Sequence, residues 1–217
     1  MRTTTLSLTL TLPSATTGPD RVLVLRSTHS DSKERAWEHL SPPLEYLQGN
    51  GPLQHASQSF DGNHIAVAGR RGAAIYNVKS HKWRLFGDLS QENLTIPTSL
   101  AWCGSALLIA CAPFVETRRG TRPPELRWYP SNHLDKASLL HSCPLPKPVC
   151  ELHVVTKRGR RSFDADKEDS VQLLAHLSDG RAFLYLVSDA PGRFQRDHTL
   201  NWTLIATLSL ALYTCKV

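Results

Sequence analysis

The sequence predicts an all-β protein, a partial WD40-like β-propeller of about three to four blades forming an incomplete ring. Three observations predict it. Short runs of β-forming residues recur along the 217-residue chain, glycine-bearing turns separate them, and one strand–turn–strand pattern returns after about forty residues. The fourteen prolines and twelve glycines are scattered instead of gathered in one tract, which fits a turn-rich β protein. A chain of this length buries a sizeable core as one domain.

In chain order the strand-like runs are 22–26, 64–68, 73–78, 82–86, 98–102, 106–111, 125–129, 149–156, 171–177 and 181–187. Residues 1–12 place Thr or Ser at every second position between leucines, which suits a strand better than a secretory apolar core. Only 32–40 reads as helical. It is polar and stopped by Ser41-Pro42-Pro43, so it is expected to be a loop insertion. Segments 27–51, 116–124 and 157–169 are polar, basic and Pro-rich, and charged in turn, and are expected as insertions between strands or blades. Three regions follow: 1–54, a first blade or extension with a polar loop; 55–190, the propeller blades; and 191–217, a partial strand or divergent tail. The apolar stretch 200–213 is interrupted by Asn201, Thr203, Thr207 and Ser209 and falls short of the roughly 18 to 20 apolar residues a spanning helix needs, so no membrane span is expected.

The repeat begins with the turn Phe60-Asp61-Gly62-Asn63, the run 64–68 with Gly69, and a second strand through Ile75 and Tyr76. It returns as Trp102-Cys103-Gly104-Ser105 before 106–111, with Glu125-Leu126-Arg127-Trp128-Tyr129 after a basic insertion. The third copy is 171–177, the turn Ser178-Asp179-Gly180, and 181–187. A four-stranded blade cannot bury both faces alone, so a unit of this size must stack on its neighbours. Asp-Gly and Cys-Gly offer turns of positive φ, the apolar run is expected as the inner strand of each blade, and the aromatic of the next strand fills the gap between blades. The residues expected to carry this blade motif are Gly62, Gly69, Gly72, Tyr76, Trp83, Phe86, Trp102, Tyr129, Gly180 and Tyr185. Three blades do not close a ring, and the chain is expected to be a piece of a longer propeller.

The formal charge of +6 is concentrated in Arg70-Arg71, in Arg118, Arg119 and Arg122, and in Lys157, Arg158, Arg160 and Arg161. None of these clusters interleaves aromatics, and the last is followed by Asp164, Asp166, Glu168 and Asp169, so they read as solvated loops and not as a nucleic-acid surface. Five cysteines form no CxxC pair, which fits a reducing compartment. The sequons at Asn93 and Asn201 carry little weight in such a chain.

The run 61–77, continuing through Lys82-Trp83-Arg84-Leu85-Phe86-Gly87 and Gln91-Glu92, resembles a segment of the Ric-one family, the large subunit of the Ric–Rgp guanine-nucleotide exchange complex. The likeness extends into Leu100-Ala101-Trp102, the strand 107–111 and Glu125-Leu126-Arg127-Trp128-Tyr129-Pro130, and more faintly into 171–187. The resemblance implies an amino-terminal WD40-like propeller. It also implies a cytoplasmic scaffold, peripheral to the Golgi membrane, that has an Rgp-type subunit as partner and acts on a Rab-type GTPase in endosome-to-Golgi retrograde transport. A generic WD40 adaptor of another pathway is the alternative. The shared residues belong to a folding motif, so the resemblance carries over no catalytic residue.

The residues themselves point to no cofactor and no small-molecule substrate. No G-x-S-x-G elbow occurs, and Gly69-Arg70-Arg71-Gly72 lacks the lysine, spacing and following helix of a phosphate loop, reading instead as a charged hairpin turn between two inner strands. His141, Cys143, Cys150 and His153 form the one candidate metal set, but its HxC and CxxH spacings are not those of common zinc sites and three prolines stiffen the loop between them.

Overall fold

The computed structural model describes residues 15–27, 35–116, 120–157, 170–187 and 202–209. In chain order its elements are β1 (Ala15–Thr17), β2 (Val22–Ser27), β3 (Arg35–Leu40), α1 (Leu44–Asn50), β4 (His55–Gln58), β5 (His64–Ala68), β6 (Ala74–Asn77), β7 (Lys82–Arg84) and α2 (Leu89–Asn93). There follow β8 (Pro97–Cys103), β9 (Ala106–Cys111), β10 (Phe114–Glu116), β11 (Gly120–Arg122), β12 (Glu125–Pro130), β13 (His141–Pro144), β14 (Val149–Lys157), β15 (Ser170–Leu177), β16 (Arg181–Val187) and β17 (Trp202–Ser209). They form four successive antiparallel meanders: β1-β2-β3, β4-β5-β6-β7, β8-β9-β12-β13 and β14-β15-β16-β17. The hairpin β10–β11 is inserted between the second and third strands of the third sheet.

Each sheet is a propeller blade, stacked face to face on the next. Ala15, Val22, Val24 and Leu40 of the first blade meet Ile65, Val67, Ala74 and Tyr76 of the second. Ala66, Ala68 and Ile75 on the other face of the second blade meet Leu100, Trp102, Leu107, Ile109 and Tyr129 of the third. Ala101, Leu108, Ala110, Leu126 and Trp128 meet Leu152, Leu173, Ala175, Phe183 and Tyr185 of the fourth. Every residue of β9 is therefore buried, its side chains alternating between two neighbours. Each large aliphatic so placed contributes about 1.5–3 kcal/mol.

The structure moves the expected inner strand by one place. β8 packs against β4 on one side and β14 on the other, so the first strand of each four-stranded blade lies innermost. The apolar runs 64–68, 106–111 and 171–177 are the second strands. They are the most apolar because they sit mid-sheet, covered in the plane and, where a neighbouring blade exists, on both faces.

Other expectations change as well. The helical reading of 32–40 gives way to the strand β3, in register with β2 from Val22↔Leu40 to Ser27↔Arg35. Its polar composition fits its place at the margin of the sheet, where no other described strand pairs with its outer edge. The expected insertion 27–51 thus contains β3 and α1, and 116–124 contains β11, paired with β10. Both short helices escaped the sequence reading, because five to seven residues are too few to show a helical period. α2 is started by Asp88, whose carboxylate accepts from Ser90 N–H at 2.8 Å. Residues 202–209 of the expected tail form the outer strand of the fourth blade. The strand reading of 1–12 and the charged segment 158–169 lie outside the described residues. Among the described residues no helix is long and apolar enough to cross a membrane.

Candidate interaction surface

The loops between second and third strands and the connectors between blades share one face of the stack, and a repeated backbone hydrogen-bond pattern ties them together. β3 is followed by α1 and then β4 just as β7 is followed by α2 and then β8, so the β1–β2 turn is equivalent to the β5–β6 turn. Each such loop bonds the connector that leaves its blade: Leu53 N–H to Pro19 O at 3.0 Å, Gly72 N–H to Thr95 O at 2.8 Å, and Leu145 N–H to Pro124 O at 2.7 Å. It also bonds the connector that enters its blade: Arg70 N–H to Asn50 O at 2.7 Å, Ala112 N–H to Ile96 O at 2.8 Å, and Ser178 N–H to Pro148 O at 2.8 Å.

Around the second blade this pattern is reinforced by buried side chains. The amide of Asn50, at the end of α1, donates to the Glu92 carboxylate on α2, bridging the two connectors across the hairpin. The Tyr46 hydroxyl accepts from Gly69 N–H at 3.1 Å and donates to Arg71 O at 3.3 Å. Tyr46, Asn50, Glu92 and Thr95 are all buried. Burial raises the Tyr46 phenol well above its usual range and keeps it a donor. Burial also raises the Glu92 carboxyl, with the Asn50 amide acting in the opposite direction.

The two hairpin glycines are required by close approach. A Cβ on Gly69 would lie 2.0 Å from the Asn50 carbonyl oxygen, and one on Gly72, at φ +63°, would lie 2.3 Å from Glu92 Cγ. The hairpin is clamped at its base while its charged tip stays in solvent. Arg70 and Arg71 are exposed, and Arg71 Nη1 donates to Asn93 O at 3.0 Å. A guanidinium held this way keeps further N–H donors free for a planar acceptor such as a carboxylate.

The remaining blade-motif residues lie in turns or between blades. Gly62 and Gly180 take φ of 71° and 82° in tight turns. Tyr76 and Trp83 pack with tilted rings, centroids 5.1 Å apart, at the first interface, and Phe86 meets Tyr129 edge-on at 5.8 Å at the second. Trp102 Nε1 donates to Ser57 O at 3.0 Å, joining the second and third blades on the face opposite the connectors. Tyr185 packs edge-on against Phe183 in the third interface.

The candidate metal residues are not brought together. His141 and Cys143 are on β13, the outermost strand of the third blade, whereas Cys150 and His153 are on β14, the innermost strand of the fourth. Those positions differ radially by about three strand spacings, roughly 14 Å. His141 stacks edge-on against Trp128, the Cys143 thiol donates to Pro144 O, and His153 pairs with Glu151 at 3.3 Å. Among the described residues no group of three or more His, Cys, Asp or Glu is placed to share a metal ion. The Cys103 and Cys111 thiols are pushed up to about 12 by burial, which removes both as nucleophiles at neutral pH. The loop face thus presents the exposed guanidiniums of Arg70 and Arg71 above a hydrogen-bonded base.

Consecutive stacked meanders with loops gathered on one face define a β-propeller. The chain belongs to the family described as the RIC1 second beta propeller domain, whose model matches residues 18–211. This agrees with the Ric-one propeller that the sequence resemblance implies, and the description makes it the second propeller of that family. The guanine nucleotide exchange factor subunit RIC1 of Mus musculus is 36% identical over 78 residues, covering 36% of this chain and 6% of that protein. Its Homo sapiens counterpart is 33% identical over 105 residues, covering 48% of this chain and 7% of the relative. The matched part thus spans a small fraction of these relatives. Among solved structures, the WD40 domain of SCAP from fission yeast shares 13% identity over 73% of this chain and 34% of its own, with a TM-score of 0.49.

Proposed function

We propose that this chain is a non-catalytic propeller scaffold of a guanine-nucleotide exchange factor complex, acting on a Rab-type GTPase at the Golgi in endosome-to-Golgi retrograde transport. The observation that carries this reading is the family match over residues 18–211, together with relatives that are exchange-factor subunits. The geometry supports a scaffold: two thiols are buried out of reach, the buried polar cluster of Tyr46, Asn50 and Glu92 is used to clamp a hairpin, and Arg70 and Arg71 stand exposed on the connector face. The partner is an Rgp-type subunit, and contact with the Golgi membrane is peripheral, through the complex.

The test is co-purification with an Rgp-type subunit, followed by release of fluorescent GDP from a Golgi Rab. The expected result is capture of the subunit, no release by this chain alone, and release by the assembled complex. A chain that folds yet captures neither subunit nor Rab would overturn the reading in favour of an adaptor in another pathway.

A further inference from the structure

The turn equivalent to the β5–β6 turn differs in charge from blade to blade. In the first and fourth blades it neutralises itself: Arg21 pairs with Asp20 at 2.9 Å and Arg181 with Asp179 at 2.7 Å. In the second blade it is Gly69-Arg70-Arg71-Gly72, without a carboxylate. In the third it is enlarged by the hairpin of β10 and β11, where residues 114–122 set one carboxylate, Glu116, against Arg118, Arg119 and Arg122. The two basic loops are rooted on consecutive residues of one connector, since Gly72 N–H donates to Thr95 O and Ala112 N–H to Ile96 O, both at 2.8 Å. The exposed Arg70, Arg71 and Arg122 therefore belong to one sector of the connector face.

Thr121 sits in the middle of β11, opposite Val115, and is exposed together with Gly120, Arg122 and Pro123. A valine would suit a strand as well, so what the threonine adds is its hydroxyl. Three observations make that hydroxyl a phosphoryl acceptor. The segment is already extended, the form in which a protein cleft reads a peptide strand. β10 and β11 pair only with each other, so the segment can leave its partner without opening a blade, and a Cβ on the neighbouring Gly120 would meet nothing within 4 Å. Finally, Arg118-Arg119-Gly120 precedes it, and Thr121 is the one serine or threonine of the chain with arginine both two and three positions before it. Guanidiniums at fixed offsets from a hydroxyl are what a kinase cleft lined with carboxylates selects.

We propose that Thr121 is phosphorylated by an arginine-directed serine/threonine kinase, and that the phosphate neutralises the guanidinium sector of the connector face. The kinase transfers the γ-phosphoryl group of a nucleoside triphosphate. A bond forms between Thr121 Oγ1 and phosphorus, the bond from phosphorus to the β,γ-bridging oxygen breaks, the nucleoside diphosphate leaves, and the hydroxyl proton passes to a carboxylate of the kinase. The product carries a charge of about −1.5 to −2 at neutral pH and three strong acceptor oxygens. Beside Arg122, on the loop rooted next to the Arg70-Arg71 turn, it draws guanidiniums into its own hydrogen bonds and withdraws them from a carboxylate on a partner. This regulation rests on the exchange-complex reading, since the surface it silences is the one offered there for capture.

The folded full chain, treated with magnesium ATP and the catalytic subunit of cyclic-AMP-dependent protein kinase and mapped by peptide mass, tests the site. Phosphate is expected on Thr121, lost in Thr121→Val, which keeps a β-branched residue in the strand, and slowed at least about tenfold by Arg118→Ala with Arg119→Ala. Modification only after denaturation, or only at other residues, overturns the site. The same map of the chain expressed in eukaryotic cells with phosphatases inhibited is expected to show the phosphate, and an unmodified Thr121 there also overturns it. For the regulation, the phosphorylated chain is expected to capture an Rgp-type subunit at least about tenfold more weakly than the untreated chain, while Thr121→Val treated alike keeps its capture. Undiminished capture by the phosphorylated chain overturns the regulation alone. If the untreated chain captures neither subunit nor Rab, the exchange-complex reading fails and the regulation falls with it, while the peptide map still decides the site.

Discussion

Strands β9 and β15 occupy the same place, second in a four-stranded blade, and differ in what lies beside them. β9 has a blade on each side and is buried at all positions from Ala106 to Cys111. Among the described residues β15 has one on one side: Val171, Leu173, Ala175 and Leu177 are buried and Gln172, Leu174 and His176 between them are half-exposed. The same backbone thus reads as a continuous apolar run or as an alternating one according to how many neighbouring blades it has. What the comparison teaches is that the stabilising unit is the interface between sheets and not the sheet.

The sharpest way to break that comparison is to remove equivalent side chains. Leu108→Ala, which empties a site between the third and fourth blades, is expected to cost about 2–5 kcal/mol in urea unfolding. Leu174→Ala, at a half-buried position on the face that no described blade covers, is expected to cost under about 1 kcal/mol. Equal losses would show that the blades contribute independently of their neighbours.

A smaller effect is expected where the hairpin of the second blade is clamped. Gly69→Ala drives a Cβ into the Asn50 carbonyl, and roughly 1–3 kcal/mol is expected to be lost as the connector shifts. Faster amide exchange at Arg70, whose N–H bonds Asn50 O, is the local readout. Unchanged exchange there would mean the clamp does not depend on the glycine.

The pH dependence of the same cluster sharpens the contrast between buried and open polar groups. Glu92 is raised in the folded state above its ordinary value of 4.5, so the folded chain holds its proton more tightly than the unfolded one. Its contribution to stability is full below 4.5 and is lost as pH rises through the folded value. Glu92→Gln keeps an acceptor for Asn50 and removes the titration, so the variant's melting temperature is expected to fall less between pH 4 and neutrality (both approximate buffer choices). Identical pH profiles for parent and variant would count against the buried carboxyl.

The smallest stability change is expected at the exposed tip. Arg70→Glu is expected to alter stability by less than about 0.5 kcal/mol while weakening capture of an exchange-complex partner. A loss of stability without a loss of capture would place Arg70 in the clamp and not on the binding surface.

Much of the blade pattern was legible because strand residues advertise themselves. The apolar runs 64–68 and 106–111 and the turns at Gly62 and Gly104 need only local chemistry: β-branched or aliphatic residues between positions of positive φ. Lys82-Trp83-Arg84 reads as a strand for the same reason. The connector face was far less legible. Tyr46, Asn50 and Glu92 are ordinary polar residues in a sequence, and Asn50 and Glu92 lie 42 positions apart. Nothing local marks them as buried. A faint signal was present in the paired glycines around Arg70-Arg71, which sequence treats as bends and the structure shows to be sites of close backbone approach.

By itself the sequence determined the β class, the spacing of the strands, the tight turns and the likeness to a family, because each depends on side-chain preferences acting over a few residues. The tertiary structure alone decided which strand of a blade lies innermost, that 35–40 is a strand, and that four ligand-like side chains on β13 and β14 sit at opposite radial ends of their blades. It also decided which polar groups are buried. These depend on how sheets stack, and stacking is set by contacts between residues tens of positions apart.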